Sequence, residues 1–161
     1  MAKLSIISTM RVISVMIVVL LGQTLAGCSS SETDSDDAAI YISAGDGLPF
    51  SESVRAGDFV ILAGQMGTDP VSGNLVEGGM AAEAQQAMEN IGTALAKHGL
   101  GFDDVVKCTV MLDNMADWPA FNTVYTQYFE SDRLPARSAF GADGLAVGGV
   151  VEVECWAYVE D

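Results

Sequence analysis

The sequence predicts an α+β domain, a single sheet carrying two helices on one face. Three observations predict it. Strand-like and helix-like segments alternate as strands, helix, strand, helix, two strands. Residues 81–98 carry apolar side chains at three–four spacing, the mark of an amphipathic helix. Residues 151–159 instead alternate one by one, the mark of a strand with one buried face. The chain has 161 residues, half of them hydrophobic, and shows no internal repeat. One domain fits that length, since two would each be poorly buried.

Ile40 to Ser43 is a short strand candidate. Phe59 to Ala63 (F-V-I-L-A) is a continuous apolar run, which predicts a strand buried on both faces. Asp69-Pro70-Val71-Ser72-Gly73-Asn74 is a turn cluster. In the helix from Ala81 to His98, the stripe is Ala84, Ala87, Met88, Ile91, Ala94 and Leu95. Gly99 follows where a left-handed C-terminal cap belongs, and His98 favours the negative pole of the helix end. Val105 to Leu112 is a second clear strand. Asp117 opens the second helix, with Pro119 in its first turn. Its apolar stripe is Trp118, Phe121, Val124, Tyr125, Tyr128 and Phe129. Arg137 to Phe140 and Val150 to Val159 are the closing strands. A tight turn at Gly148-Gly149 would pair Arg137 with Glu160, and a wider loop would pair it with Glu154. The two registers differ by an even shift, so both put Arg137 and the acids on one face. In the last strand Val151, Val153, Cys155, Ala157 and Val159 form the core side. Glu152, Glu154, Trp156, Tyr158 and Glu160 form a side that is either solvated or an interface.

Charge excludes some functions. Twenty-two acids against seven bases leave a net charge of −15, which opposes phosphate binding and hence nucleic acid. A single histidine rules out a multi-histidine metal site within one chain. Three cysteines are too few for a disulfide scaffold. Cys108 and Cys155 lie in strand segments. They are either two buried thiols or, in an oxidising compartment, a disulfide; strand register decides.

The first residues read as an address. Met1 to Arg11 carries Lys3 and Arg11, and Val12 to Leu21 is a mainly apolar run of ten residues. As a helix it would rise about 15 Å, half of a hydrocarbon core of about 30 Å. That describes a secretory signal. Leu25-Ala26-Gly27-Cys28 resembles a bacterial lipoprotein box, which implies cleavage before Cys28 and acylation of that cysteine. The expected division is a signal peptide over 1–27, an acylated cysteine and Ser/Asp-rich tether over 28–39, and a folded domain over 40–161. The expected location is outside the cytoplasm, lipid-anchored to a bacterial membrane, at the periplasmic face in a Gram-negative cell. Cleavage removes Lys3 and Arg11, leaving five bases against 22 acids and a charge of −17. Such a charge repels anionic headgroups, so the lipid alone makes the membrane contact.

Pro135-Ala136-Arg137-Ser138, with Glu152 fifteen residues after the arginine in V-E-V-E, resembles the signature of the RidA/YjgF family of reactive intermediate deaminases. Leu48-Pro49-Phe50-Ser51, Arg55-Ala56-Gly57-Asp58 and Ala63-Gly64-Gln65 resemble that family's N-terminal block. Glu83 through Asn90-Ile91 resembles its first helix. Val105-Val106-Lys107 and Phe121-Asn122 with Tyr125 and Phe129 resemble its middle. The resemblance spans about 43–159. It implies a chorismate-mutase-like fold, with a six-stranded mixed sheet and two helices on one face, assembled as a homotrimer around a central barrel with clefts between subunits. It also implies hydrolysis of small carboxylate-bearing enamines or imines, such as 2-aminoacrylate, to 2-oxo acids and ammonia, without a cofactor or metal.

In that family the arginine matching Arg137 binds the substrate carboxylate. A planar guanidinium can hold a carboxylate by two parallel hydrogen bonds, which fixes orientation as well as charge. Glu152 is placed to orient or deprotonate the attacking water. The resemblance makes Phe50, Gly64 and Asn122 substrate-binding candidates. Phe50 stands where a tyrosine often supplies a hydroxyl, and Ala139 where a cysteine is frequent, so the pocket is more apolar than in well-known deaminases. These departures keep a second function open: a non-catalytic carboxylate-binding or scaffold/holdase trimer. Endoribonuclease, another label of the family, conflicts with the charge.

Overall fold

The computed structural model describes residues 38–160. The signal segment, Cys28 and nearly all of the tether lie outside the described residues. Within them runs one mixed sheet. Its strands are β1 (Ile40–Ser43), β2 (Ser51–Ala56), β3 (Phe59–Leu62), β4 (Gln65–Met66), β5 (Val105–Leu112), β6 (Ala136–Gly141) and β7 (Val151–Tyr158). The spatial order is β1-β2-β3-β7-β5-β6, with the two-residue β4 also on β7. The main path has the six strands expected, and β4 makes a seventh. Only β5 and β6 run parallel. Helices α1 (Gly79–Ala96) and α2 (Trp118–Tyr125) supply the second layer.

The α1 stripe behaves as its spacing requires: Ala84, Ala87, Met88, Ile91, Ala94 and Leu95 are all buried. They meet Val60, Leu62, Val110, Leu112, Val151 and Val153 in one core. Gly99 is left-handed, with φ of 73°, and Leu100 N–H closes on the carbonyl of Leu95 at 3.1 Å. Pro119 stands in the first turn of α2, and Phe121 and Tyr125 are its most buried residues. Asp69 caps its own turn, accepting from the backbone and hydroxyl of Ser72 at 2.7 and 2.8 Å.

Four expectations are corrected. The closing strands form no hairpin: β6 pairs only with β5, and β7 lies antiparallel between β3 and β5. The glycine-rich stretch between them is a crossing loop with a short turn at Ala146–Gly148. In consequence Arg137 does not share a face with the acids. It is level with Cys108 and through it with Cys155, on the helix side, whereas Glu152 and Glu154 are level with Met111 and Thr109, on the open side. The apolar run at β3 is buried on one face only: Val60 and Leu62 are enclosed, but Phe59 is 42% exposed, because no helix covers the open side. And His98 does not stand free at the helix pole but is turned onto the sheet. Burial, with Arg55 and Lys97 nearby, lowers its pKa, and its Nε2 shares a 2.8 Å hydrogen bond with the buried Ser53 hydroxyl. It ties the end of α1 to β2.

The alternation in β7 holds from Val151 to Tyr158. It places Cys155 directly opposite Cys108, with Cα atoms 4.1 Å apart, and the two sulfurs form a disulfide.

Two polar ties fix α1 on the sheet. Asn90 donates to the carbonyls of Met66 and Thr68 at 3.0 and 2.9 Å. Glu83, only 6% exposed, accepts from Val150 N–H at 2.9 Å. Gly67 makes this approach possible: a Cβ there would lie 2.5 Å from the Glu83 Cα and 2.7 Å from its carbonyl oxygen. Backbone meets backbone, so the helix itself must move. Gly67→Ala is expected to cost about 1–3 kcal/mol, read as a lower urea midpoint.

Candidate active site

Arg137 is set by β6. The parallel register of that strand on β5 turns its side chain toward α2. Its guanidinium carbon lies 4.6 Å from the ring centroid of Trp118, 4.6 Å from that of Tyr125 and 6.0 Å from that of Phe121. Among the described residues it has no ion-pair partner; the one salt bridge found there joins Lys97 to Glu52 at 2.6 Å. A guanidinium on aromatic faces keeps its charge and its N–H fork, because rings attract a cation without neutralising it.

Asn122 lies on the same stripe of α2, four residues after Trp118 and three before Tyr125. Its Oδ1 is buried without a hydrogen-bond partner, and so is the Tyr125 hydroxyl. Burial pushes the Tyr125 pKa up to about 12, although Arg137 works against it. The phenol is therefore a neutral donor at ordinary pH. Unpartnered buried groups of this kind are costly, about 1–3 kcal/mol each, and are the groups a polar ligand would satisfy.

Glu152 forms a second cluster on the open face. It pairs with Met66 of β4 and Met111 of β5. Gly64 lets its carboxylate in: any Cβ at Gly64 would overlap the Glu152 carboxylate. Burial, and then the neighbouring Glu154, raise the Glu152 pKa. Glu154 is itself engaged, accepting from Trp156 Nε1 at 2.9 Å. Glu152 is thus a carboxyl poised to exchange a proton nearer neutrality than an ordinary one.

The structure groups the predicted residues in two sets. Arg137 and Asn122 belong to the helix face, and Gly64 and Glu152 to the open face. Phe50 stands apart, just before β2 and 53% exposed. From the sequence, Trp118 and Tyr125 belong to the apolar stripe of the second helix. Their seven-residue spacing was visible, but only the β5–β6 pairing reveals that Arg137 faces them. No cluster of three or more metal-ligating side chains occurs among the described residues.

The model of the Endoribonuclease L-PSP family matches residues 45–159. A Capra hircus protein named 2-iminobutanoate/2-iminopropanoate deaminase is 46% identical over 109 residues, covering 68% of this chain and 79% of its own length. The Homo sapiens protein of the same name is 42% identical over the same shares. Among solved structures, RidA from an Antarctic Psychrobacter superposes with a TM-score of 0.67 at 35% identity, covering 71% of this chain and 92% of that one.

Proposed function

The chain belongs to the Endoribonuclease L-PSP family, and from that membership we propose that it hydrolyses 2-enamino and 2-imino acids to 2-oxo acids and ammonia. The observation that carries this is Arg137, a fixed guanidinium with no counter-ion among the described residues. It is a receptor for a small carboxylate. With that carboxylate held, the iminium carbon is presented to water. Glu152 accepts the proton of the water as the C–O bond forms. Glu152 returns that proton to the carbinolamine nitrogen, the C–N bond breaks as the carbonyl forms, and the hydroxyl proton leaves with the ammonia as ammonium. These steps need no cofactor. The endoribonuclease of the family's description is disfavoured by 22 acids against seven bases.

Arg137 and Glu152 lie on opposite faces of one sheet, so a single chain does not present both to one small substrate. This supports a homotrimer whose clefts join the helix-face set of one copy to the open-face set of the next. The open face is suited to burial, for it exposes Phe59, Phe140, Trp156 and Tyr158 at 38–50%. The Cys108–Cys155 disulfide supports export to an oxidising compartment, in keeping with the proposed signal peptide over 1–27, acylation at Cys28 and the domain over 40–161.

The test is the rate at which 2-iminobutanoate, generated in place by a dehydratase, disappears with and without the protein, beside light scattering for the oligomer. Acceleration by a trimer supports the proposal. Tight binding of 2-oxobutanoate with no acceleration would favour the second function, a carboxylate-binding module; Phe50 and Ala139 leave room for it.

Glu152 yields a pH prediction. Its base form is lost as pH falls through a raised pKa, so the acid limb of kcat/KM should lie above the ordinary carboxylate value of 4.5. Glu152→Gln should remove that limb and lower kcat about a hundred-fold. Stability should move the other way. A carboxyl whose folded pKa is raised contributes stability below its unfolded pKa and loses it as pH rises through the folded one. The Gln variant should therefore melt higher than wild type at pH 8, with the difference gone at pH 4. Rate profiles and thermal melts at both pH values check the pair.

A further inference from the structure

A cation on the core side of an edge strand, in a chain this acidic, would ordinarily be held by a carboxylate. Arg137 is held by rings. Trp118 and Tyr125 are seven residues apart on α2, two turns or about 10.5 Å along its axis. A guanidinium carbon 4.6 Å from both ring centroids therefore fills the slot between them, with Phe121 at its floor. A carboxylate in that slot would hold the guanidinium and occupy its N–H fork as well. Ring faces hold it and leave the fork free.

We propose that Trp118 and Tyr125 are positioning residues that clamp Arg137 in place of a counter-ion, reserving its donors for the carboxylate of the substrate. This deepens the deaminase proposal and rests on it. A second observation supports it. The Tyr125 hydroxyl, on a residue 3% exposed, and Asn122 Oδ1 are a donor and an acceptor on the same stripe with no partner in the described chain. A planar acid with an N–H group beside its carboxylate would satisfy both. The clamp also explains how the guanidinium is held although it makes no hydrogen bond among the described residues.

The test separates ring face from bulk. Trp118→Phe keeps a π face, while Trp118→Leu keeps apolar volume without one. Each is assayed for 2-iminobutanoate hydrolysis, and its Kd for 2-oxobutanoate, a non-reacting probe, is measured by titration. Trp118→Phe should stay within about two-fold of wild type. Trp118→Leu should raise KM and Kd about ten-fold while kcat changes less than about two-fold. Equal KM and Kd in the two variants would overturn the clamp and leave Trp118 a packing residue. If the leucine variant does not fold, Trp118→Met is read by the same rule. A wild type that binds 2-oxobutanoate but does not hydrolyse the imine overturns the deaminase proposal, and the Kd comparison still decides the clamp. A wild type that does not bind the probe overturns the clamp too.

Discussion

Arg137→Ala is expected to lower kcat/KM for 2-iminobutanoate by about a thousand-fold, with the fold intact. Two charge-assisted hydrogen bonds are lost, each worth about 1.5–3 kcal/mol, and a factor of ten in rate is about 1.36 kcal/mol. The guanidinium makes no ion pair within the described residues, so its removal leaves no buried acid uncompensated. What remains is an apolar slot between Trp118 and Tyr125. Arg137→Lys should recover little, because an ammonium cannot form the bidentate grip and its charge is poorly matched to the slot. Steady-state kinetics with thermal melts check both variants. An alanine variant that retains wild-type kcat/KM would remove Arg137 from the mechanism.

The second large effect concerns stability. Reducing the Cys108–Cys155 disulfide should cost about 4 kcal/mol. The bond closes a loop across a sequence separation of 47 residues, and the chain-entropy model assigns a loop of that length a cost of that size in the unfolded state. Both sulfurs are fully buried, so reduction has to be done on the unfolded chain before refolding. Urea unfolding of oxidised and reduced protein, at one fixed protein concentration, measures the difference. Coincident unfolding curves would mean that the cross-link contributes nothing. The row Arg137–Cys108–Cys155 crosses β6, β5 and β7, so the reduced protein should also lose some substrate affinity as β5 loosens.

What could be read from the sequence was whatever depends on neighbours in the chain. The α1 stripe, the left-handed Gly99, Pro119 at the start of α2 and the alternation in β7 are local patterns, and the structure keeps them. What failed depends on which strands meet. A hairpin between the last two strands was the simplest connection, yet β5 stands between them. That intervening strand reversed the face assigned to Arg137. The missed β2 has a mixed face: Ser53 points into the core, and His98 satisfies it, so no simple alternation announced it. Arg137, Glu152, Gly64 and Asn122 were chosen from the family resemblance, but their division between two faces and the aromatic slot required the register.

The strand order has a consequence for how the protein is made. β7 is synthesised after β3 and β5, yet it fills the place between them. Until it emerges from the ribosome, β3 and β5 have no edge in common, and Val60, Leu62, Val110 and Leu112 lack the wall that Val151 and Val153 supply. The two earlier pieces, β1-β2-β3 and β5-β6, must wait as separate sticky fragments. The nascent chain is thus kept from completing its sheet while it is still being threaded, and the closing step is insertion of one strand between two waiting edges. The cysteine pair lies at that seam, one sulfur on β5 and one on β7, so shutting the seam brings the two thiols together, and oxidation then locks the last strand in place.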